Sequence, residues 1–170
     1  MFNIKIIKGD ITHASVDAVV NAANTRMLGG GGVDGAIHSA AGPDLLGECK
    51  KVRPENGIRC PTGEARITKA GNLKARFVIH TVGPRYNIDK NPENLLFSAY
   101  KNTLDLALTH GCESIAFPAV SCGVFAYPPQ KAARISVSVC KKSKYKALIK
   151  YFYLSNETMV DIWKAVLEHP

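Results

Sequence analysis

From residue 2 to residue 8 apolar and polar side chains alternate, the period-two pattern of a half-buried strand. A short apolar run over 17–21 predicts a second strand. The run Gly29-Gly-Gly-Gly32 then interrupts any regular element. Residues 33–41 have helical composition, closed by the stop signal Gly42-Pro43, and a second short helix is expected over 44–52. A loop rich in Pro, Gly and Asn spans 53–63. Strands are expected at 65–68 and 76–82.

Asn91-Pro92-Glu93 reads as the start of a long helix, with Asn91 as N-cap and Pro92 in the first turn. Leu96, Ala99, Tyr100, Thr103, Leu104, Ala107 and Leu108 keep helical spacing along it, and Gly111 ends it. A strand over 113–120, a helix from Pro128-Pro129 to about Lys142 and a strand over 147–154 follow. Asn156-Glu157 caps a final helix with Val160, Trp163 and Leu167 on one side. Strands alternating with helices predict an α/β fold, a sheet covered by helices on both faces.

At 170 residues the chain is expected to form one domain, 1–170. With 46% apolar and 21% charged residues, its composition is that of a globular protein. No apolar run reaches the ~20 residues of a membrane span. The N-terminal segment carries lysines and has no apolar stretch or cleavage site of a signal peptide. A soluble cytoplasmic protein is expected. Five cysteines, an odd number with no C-x-x-C spacing, argue against a disulfide framework or a cysteine zinc site. The net charge of +8 favours anionic partners.

Three unusual loops follow expected strands: Gly9-Asp10-Ile11, the stretch 21–32, and 121–127. Ligands of such folds gather beyond the carboxyl ends of the strands. Asn21-Ala-Ala-Asn24, then four glycines and Val33-Asp34-Gly35, is the most informative stretch. Glycines let a backbone approach a ligand closely, and a helix start adds free N–H groups and a positive dipole end. Together they suit a phosphate. No Lys-Ser/Thr follows, so this is not a P-loop.

Asp34, in the first helical turn, either complements the dipole or holds a water beside a ligand. His38, four residues on, shares its face and is either structural or catalytic. Asn24 suits a turn or a sugar hydroxyl. Asp10 suits a cap or the exocyclic amine of a base. The loop Ser121-Cys-Gly-Val-Phe-Ala-Tyr127 presents consecutive N–H groups and an aromatic, Phe125, expected to be exposed and to face a sugar. Cys122 has no recognisable Cys/His/Asn arrangement around it, against a nucleophile. The lysines of 141–146 read as a solvated helix end or as a contact for a polyanion.

Taken together these residues resemble the macrodomain family, specifically its MacroD-type ADP-ribosyl hydrolases. The matching blocks are Gly9-Asp-Ile-Thr12, Val16-Asp-Ala-Val-Val-Asn-Ala-Ala-Asn24, Gly30-Gly-Gly-Val-Asp-Gly-Ala-Ile-His38 with Ala40-Ala-Gly-Pro43, Val78-Ile-His-Thr-Val-Gly-Pro84, Ala116-Phe-Pro118 and Ser121-Cys-Gly-Val-Phe125 with Tyr127-Pro128. The resemblance implies a three-layer α/β/α sandwich around a mixed sheet, with ADP-ribose in a cleft.

On that resemblance Asp10 receives the adenine amine, Ile11 adds a backbone contact and Tyr153 lies against the base. Gly31, Gly32 and Val33 on one side, and Ser121, Cys122, Gly123, Val124 and Phe125 on the other, hold the diphosphate. Ala22 joins the binding set. Asn24 and Asp34 surround the distal ribose, Phe125 fixes that sugar, and His38 matches the family's helix histidine. Asn24, Asp34 and His38 form the implied catalytic group. The implied reaction is hydrolysis of the ester joining mono-ADP-ribose to an acidic protein side chain. Water held by Asp34 attacks the anomeric carbon and the carboxylate leaves. Relatives of this branch also cleave O-acetyl-ADP-ribose. No metal or other cofactor is implied.

Two positions depart from the pattern: Cys122 stands where threonine is frequent and Ala126 where glycine is common. The ligands of zinc-containing relatives have no counterpart here, and the lysine-nucleophile branch lacks the Val-Asp-Gly block. The implied partners are ADP-ribose and ADP-ribosylated proteins. The competing readings are a non-catalytic reader of ADP-ribose or poly(ADP-ribose), and a polyanion-binding module whose RNA affinity falls with salt.

Overall fold

The computed structural model describes residues 2–169. Its strands are β1 (Ile4–Lys8), β2 (Ala18–Ala22), β3 (Ala65–Lys69), β4 (Phe77–Thr81), β5 (Ser114–Phe117) and β6 (Ile149–Leu154). Its helices are α1 (Gly32–Ala41), α2 (Pro43–Lys50), α3 (Pro92–Thr109), α4 (Pro129–Cys140) and α5 (Glu157–Glu168), with 3₁₀ turns at Ile11–His13 and Ser143–Tyr145.

Every strand and helix expected from the hydrophobic pattern is present, and the differences lie at their ends. β1 starts at Ile4 because Asn3 takes a left-handed backbone (φ 51°) that no strand continues. β5 stops at Phe117 because Pro118 has no N–H for the ladder. Gly42 (φ 80°) turns the chain between α1 and α2, and α2 begins at Pro43. Asn91 stands at the expected N-cap of α3 but makes no capping bond. Its own backbone is left-handed (φ 54°), and the capping expectation fails there. Asn156 does cap α5, its side chain accepting from the N–H of Met159 at 2.9 Å.

The six strands form one mixed sheet in the order β1-β6-β5-β2-β4-β3. Only the edge strand β3 is antiparallel to its neighbour. The covering of both faces follows from alternation within the strands. In β2, Ala18 and Val20 join a core with α3, α4 and α5, through Leu96, Tyr100, Val137 and Trp163. Val19 joins a second core with α1 and α2, through Ile37, Leu45 and Cys49. The fold is therefore an α/β/α sandwich. Because β1, β2, β4, β5 and β6 run parallel, their carboxyl ends share one edge of the sheet, and the loops that follow them meet there. No helix among the described residues is long and apolar enough to cross a membrane.

Candidate active site

At that edge lies a cleft of about 480 Å³. Asp10, Ile11 and Tyr153 stand at one end, Gly32 and Val33 on one flank, Cys122 and Gly123 on the other. The loops after β1, β2 and β5 thus converge as the sequence suggested.

The first end is built locally. β1 and β6 pair with Ile7 opposite Tyr153, which brings Tyr153 beside the loop that carries Asp10. Asp10 Oδ1 accepts from the Thr12 N–H (2.9 Å) and from Thr12 Oγ1 (2.7 Å), capping the 3₁₀ turn. The Thr12 hydroxyl and, after it, its N–H hold the Asp10 carboxyl below the usual carboxylate range. Both readings of Asp10 are thereby compatible. One oxygen caps, and Oδ2, with His13 Nε2 3.9 Å away and no hydrogen bond to the described protein, is open to a donor in the cleft. Asn156 and Met159 of α5 also line this end, a contribution that the capping pattern at Asn156 did not signal.

The middle is built from backbone. Gly31 at the N-cap of α1 offers no side-chain cap, so the first N–H groups of the helix are free. Across the cleft, among the described residues, the N–H groups of Gly123, Val124 and Phe125 donate to no protein acceptor. The Cys122 N–H does donate, to the Ala119 carbonyl at 3.2 Å, and this corrects its place among the diphosphate donors. Burial pushes the Cys122 thiol up to about 12, which keeps it from acting as a thiolate nucleophile. The exposed aromatic expected at the loop tip is also corrected. Val124 projects, at 97% exposure, while Phe125 is half-buried and its carbonyl accepts from the Tyr86 N–H at 2.8 Å. Ala126, where glycine was noted as common, holds a left-handed backbone (φ 60°). Ser121 is buried with its Oγ unpartnered.

The far end of the candidate site lies behind the glycine run, where Asn24, Asp34 and His38 stand beyond the residues that line the cleft. Asp34 is 5% exposed. Its Oδ1 accepts from Asn21 Nδ2 at 2.8 Å and lies 3.4 Å from His38 Nε2, which is buried and not aligned for a hydrogen bond. Among the described residues nothing donates to Oδ2, and it is not sealed from solvent. A methyl group at Gly30 would stand 3.1 Å from Asp34 Oδ2 and 3.4 Å from Asn24 Nδ2, so Asn24 and Asp34 meet over the Gly30 backbone. Gly35 permits this approach. A Cβ there would come within 2.6 Å of the Gly30 carbonyl oxygen. Asn24 forms its turn, with Oδ1 accepting from the N–H groups of Arg26 and Met27 and Nδ2 donating to Gly29. Ala22, the last residue of β2, is half-buried just before this loop. Among the described residues no three His, Cys, Asp or Glu side chains cluster as a metal site.

The Macro domain profile matches residues 20–136. The chain belongs to the Macro domain family. It is 58% identical to a macro domain-containing protein of Vibrio parahaemolyticus over 164 residues, 96% of each chain. It is 57% identical to the O-acetyl-ADP-ribose deacetylase of Escherichia fergusonii over 135 residues, 79% of this chain and 76% of that one. The macrodomain of Oceanobacillus iheyensis, solved with ADP, superposes with a TM-score of 0.91 at 41% identity, over 96% of this chain and 89% of its own.

This macrodomain also buries two polar residues beside Asp34 that the sequence pattern did not single out, Asn21 and His80. Each is the next-to-last residue of its strand and follows an apolar run, Val19-Val20-Asn21 and Val78-Ile79-His80, and that break in pattern was the available signal.

Proposed function

We propose that this protein binds ADP-ribose and hydrolyses esters of it, including the ester joining mono-ADP-ribose to acidic protein side chains and the acetyl ester of O-acetyl-ADP-ribose. The adenine lies at Asp10 and Tyr153, its amine donating to the free carboxylate oxygen. The diphosphate lies between the start of α1 and the N–H groups of Gly123, Val124 and Phe125, which neutralise it without a metal. The distal ribose reaches Asn24, Asp34 and Phe125. Water held at Asp34 Oδ2 attacks the anomeric carbon, its proton passing through the Asp34 carboxylate to solvent, while the bond to the ester oxygen breaks and the carboxylate of the modified side chain leaves. His38 faces the other oxygen of Asp34. Support comes from the similarity to a protein named as an O-acetyl-ADP-ribose deacetylase.

The observation that carries the reading is the Asp34 carboxylate itself. It is buried at a helix start with Oδ1 tied to Asn21 and Oδ2 left unbonded beside the Gly30 backbone. A dipole partner alone has no need of burial. A reader without turnover is the rival. Release of ADP-ribose from a Glu-linked peptide and loss of acetate from O-acetyl-ADP-ribose, each in a single turnover beside a binding isotherm, decide between them. Tight binding with no release would leave a reader.

A further inference from the structure

We infer, taking the hydrolase reading of the site as given, that His80 is a positioning residue for the Asp34 carboxylate and acts through the side-chain amide of Asn21. β2 and β4 pair in parallel with Asn21 opposite His80. Both residues are fully buried. An amide and an imidazole in an apolar layer are costly unless their polar atoms are bonded, and the directions of those bonds are determined one after another.

The carboxylate only accepts, so Asn21 Nδ2 donates to Asp34 Oδ1 at 2.8 Å. The same nitrogen has a second hydrogen and lies 3.2 Å from His80 Nδ1. That contact needs a lone pair on Nδ1, which places the imidazole proton on Nε2. Nε2 faces Thr68 Oγ1 at 3.0 Å, and the Thr68 hydroxyl donates onward to the Lys69 carbonyl at 3.0 Å. Every link then has one donor and one acceptor. The ionisable groups around His80 include Cys49 of α2, with Sγ 3.7 Å from Nε2, Cys60, with Sγ 3.9 Å from the His80 carbonyl, Arg66 opposite it on β3, and His38 and Asp34 of α1, the His38 ring 6.4 Å away centre to centre. Burial first, and His38 second, draw His80 down to about 3, so the ring is neutral at physiological pH.

The amide oxygen of Asn21 is buried and has no partner among the described residues. No donor therefore chooses its orientation. Two acceptors do, Asp34 Oδ1 and His80 Nδ1, by holding both hydrogens of one nitrogen. Without the Nδ1 acceptor the amide is held on one side only, and the carboxylate it grips gains freedom to turn. The water on Oδ2 then loses its line of attack while the ligand keeps its contacts in the cleft, so kcat falls and ADP-ribose affinity does not.

Two substitutions separate this role from core filling. His80→Asn retains an acceptor at the level of Nδ1. His80→Gln reaches the position of Nε2 and leaves Nδ1 empty. On a Glu-linked substrate H80Q is expected to lose kcat at least ~10-fold with ADP-ribose Kd within threefold, and H80N to recover to within about threefold of the wild type. Equal losses in both variants, or full activity in H80Q, overturn the inference. Long-range ¹H–¹⁵N spectra of the unmodified protein test the geometry without turnover or substitution. The expected result is a neutral His80 with its proton on Nε2 from pH 5 to 8, and a proton on Nδ1, or titration within that range, overturns it. A protein that binds ADP-ribose but never hydrolyses it overturns the hydrolase reading and the kinetic role of His80, while the same spectra still decide the tautomer.

Discussion

The two ends of the proposed site are built in opposite ways. At the proposed adenine end Asp10 is exposed, its partners are two and three residues away, and the loop makes its own cap. At the far end Asp34 is buried, and its setting comes from Asn21 on one strand, His80 on a second and Thr68 on a third. The first arrangement suits recognition, since an exposed carboxylate can be approached and released. The second suits chemistry, since a group whose rotation is blocked holds a reacting water without reorganising in each cycle. If that contrast is right, changes at the far end alter turnover and spare binding, and changes at the adenine end do the reverse.

The strongest way to break the contrast is Asp34→Asn. Shape and hydrogen bonding survive and the charge goes. Hydrolysis is expected to fall by ~10²–10⁴, with ADP-ribose affinity kept or improved because a negative charge near the diphosphate is removed. A mere dipole partner predicts instead a loss of ~0.3–1 kcal/mol in stability and unchanged turnover. Single-turnover release beside calorimetry separates the two.

The matching change at the adenine end is Asp10→Ala, expected to weaken ADP-ribose binding by about 1–3 kcal/mol, the range for a charge-assisted hydrogen bond. Asp10→Asn sharpens it by retaining an acceptor for the Thr12 cap while offering the base no charge. If affinity falls in Ala and is restored in Asn, the residue serves the cap alone.

Acid stability probes the far end without touching the ligand. His80 is held at about 3 against an ordinary 6.5, by burial first. Between those values the unfolded chain binds a proton that the folded chain refuses, so stability rises with pH across the window and is lost on acidification. The expected slope is ~1.4 kcal/mol per pH unit, or roughly 2 kcal/mol lost by pH 5. The lowered carboxyls of Asp10, Glu48, Asp89 and Asp105 add their own losses mainly below about pH 4.5. Denaturant titrations at stepped pH should show the slope in the wild type and a flattened curve in H80N.

The smallest expected effect on stability belongs to Phe125→Ala. Phe125 is half-buried in a loop, so the loss should stay within about 1 kcal/mol, against ~3–5 kcal/mol for a core phenylalanine. Turnover should suffer more than affinity, because the sugar is misplaced. Large destabilisation with normal turnover in the folded fraction would move Phe125 from the site to the core.

How much of this could be read in advance divides along the same line. The period-two and helical patterns located all six strands and five helices, because burial of one face imposes its period on the residues themselves. The glycine run, the free helix start and the Asp10 cap were legible because each is a contact between near neighbours. Three expectations failed where a distant group intervened or the backbone took another state. Cys122 spends its N–H on Ala119, Phe125 is half-buried beside the 83–91 loop, and Asn91 turns left-handed instead of capping.

By itself the sequence determined the elements, the layer pattern and the family, since hydrophobic period and local turn chemistry act over a few residues. Only the tertiary structure decided the strand order, with β5 beside β2 and the antiparallel β3 at the edge, and with it the register that sets Asn21 opposite His80. Those two residues lie 59 positions apart. A single buried amide can meet one imidazole at that separation only after the sheet has formed, because the pairing depends on strand register and not on any period along the chain.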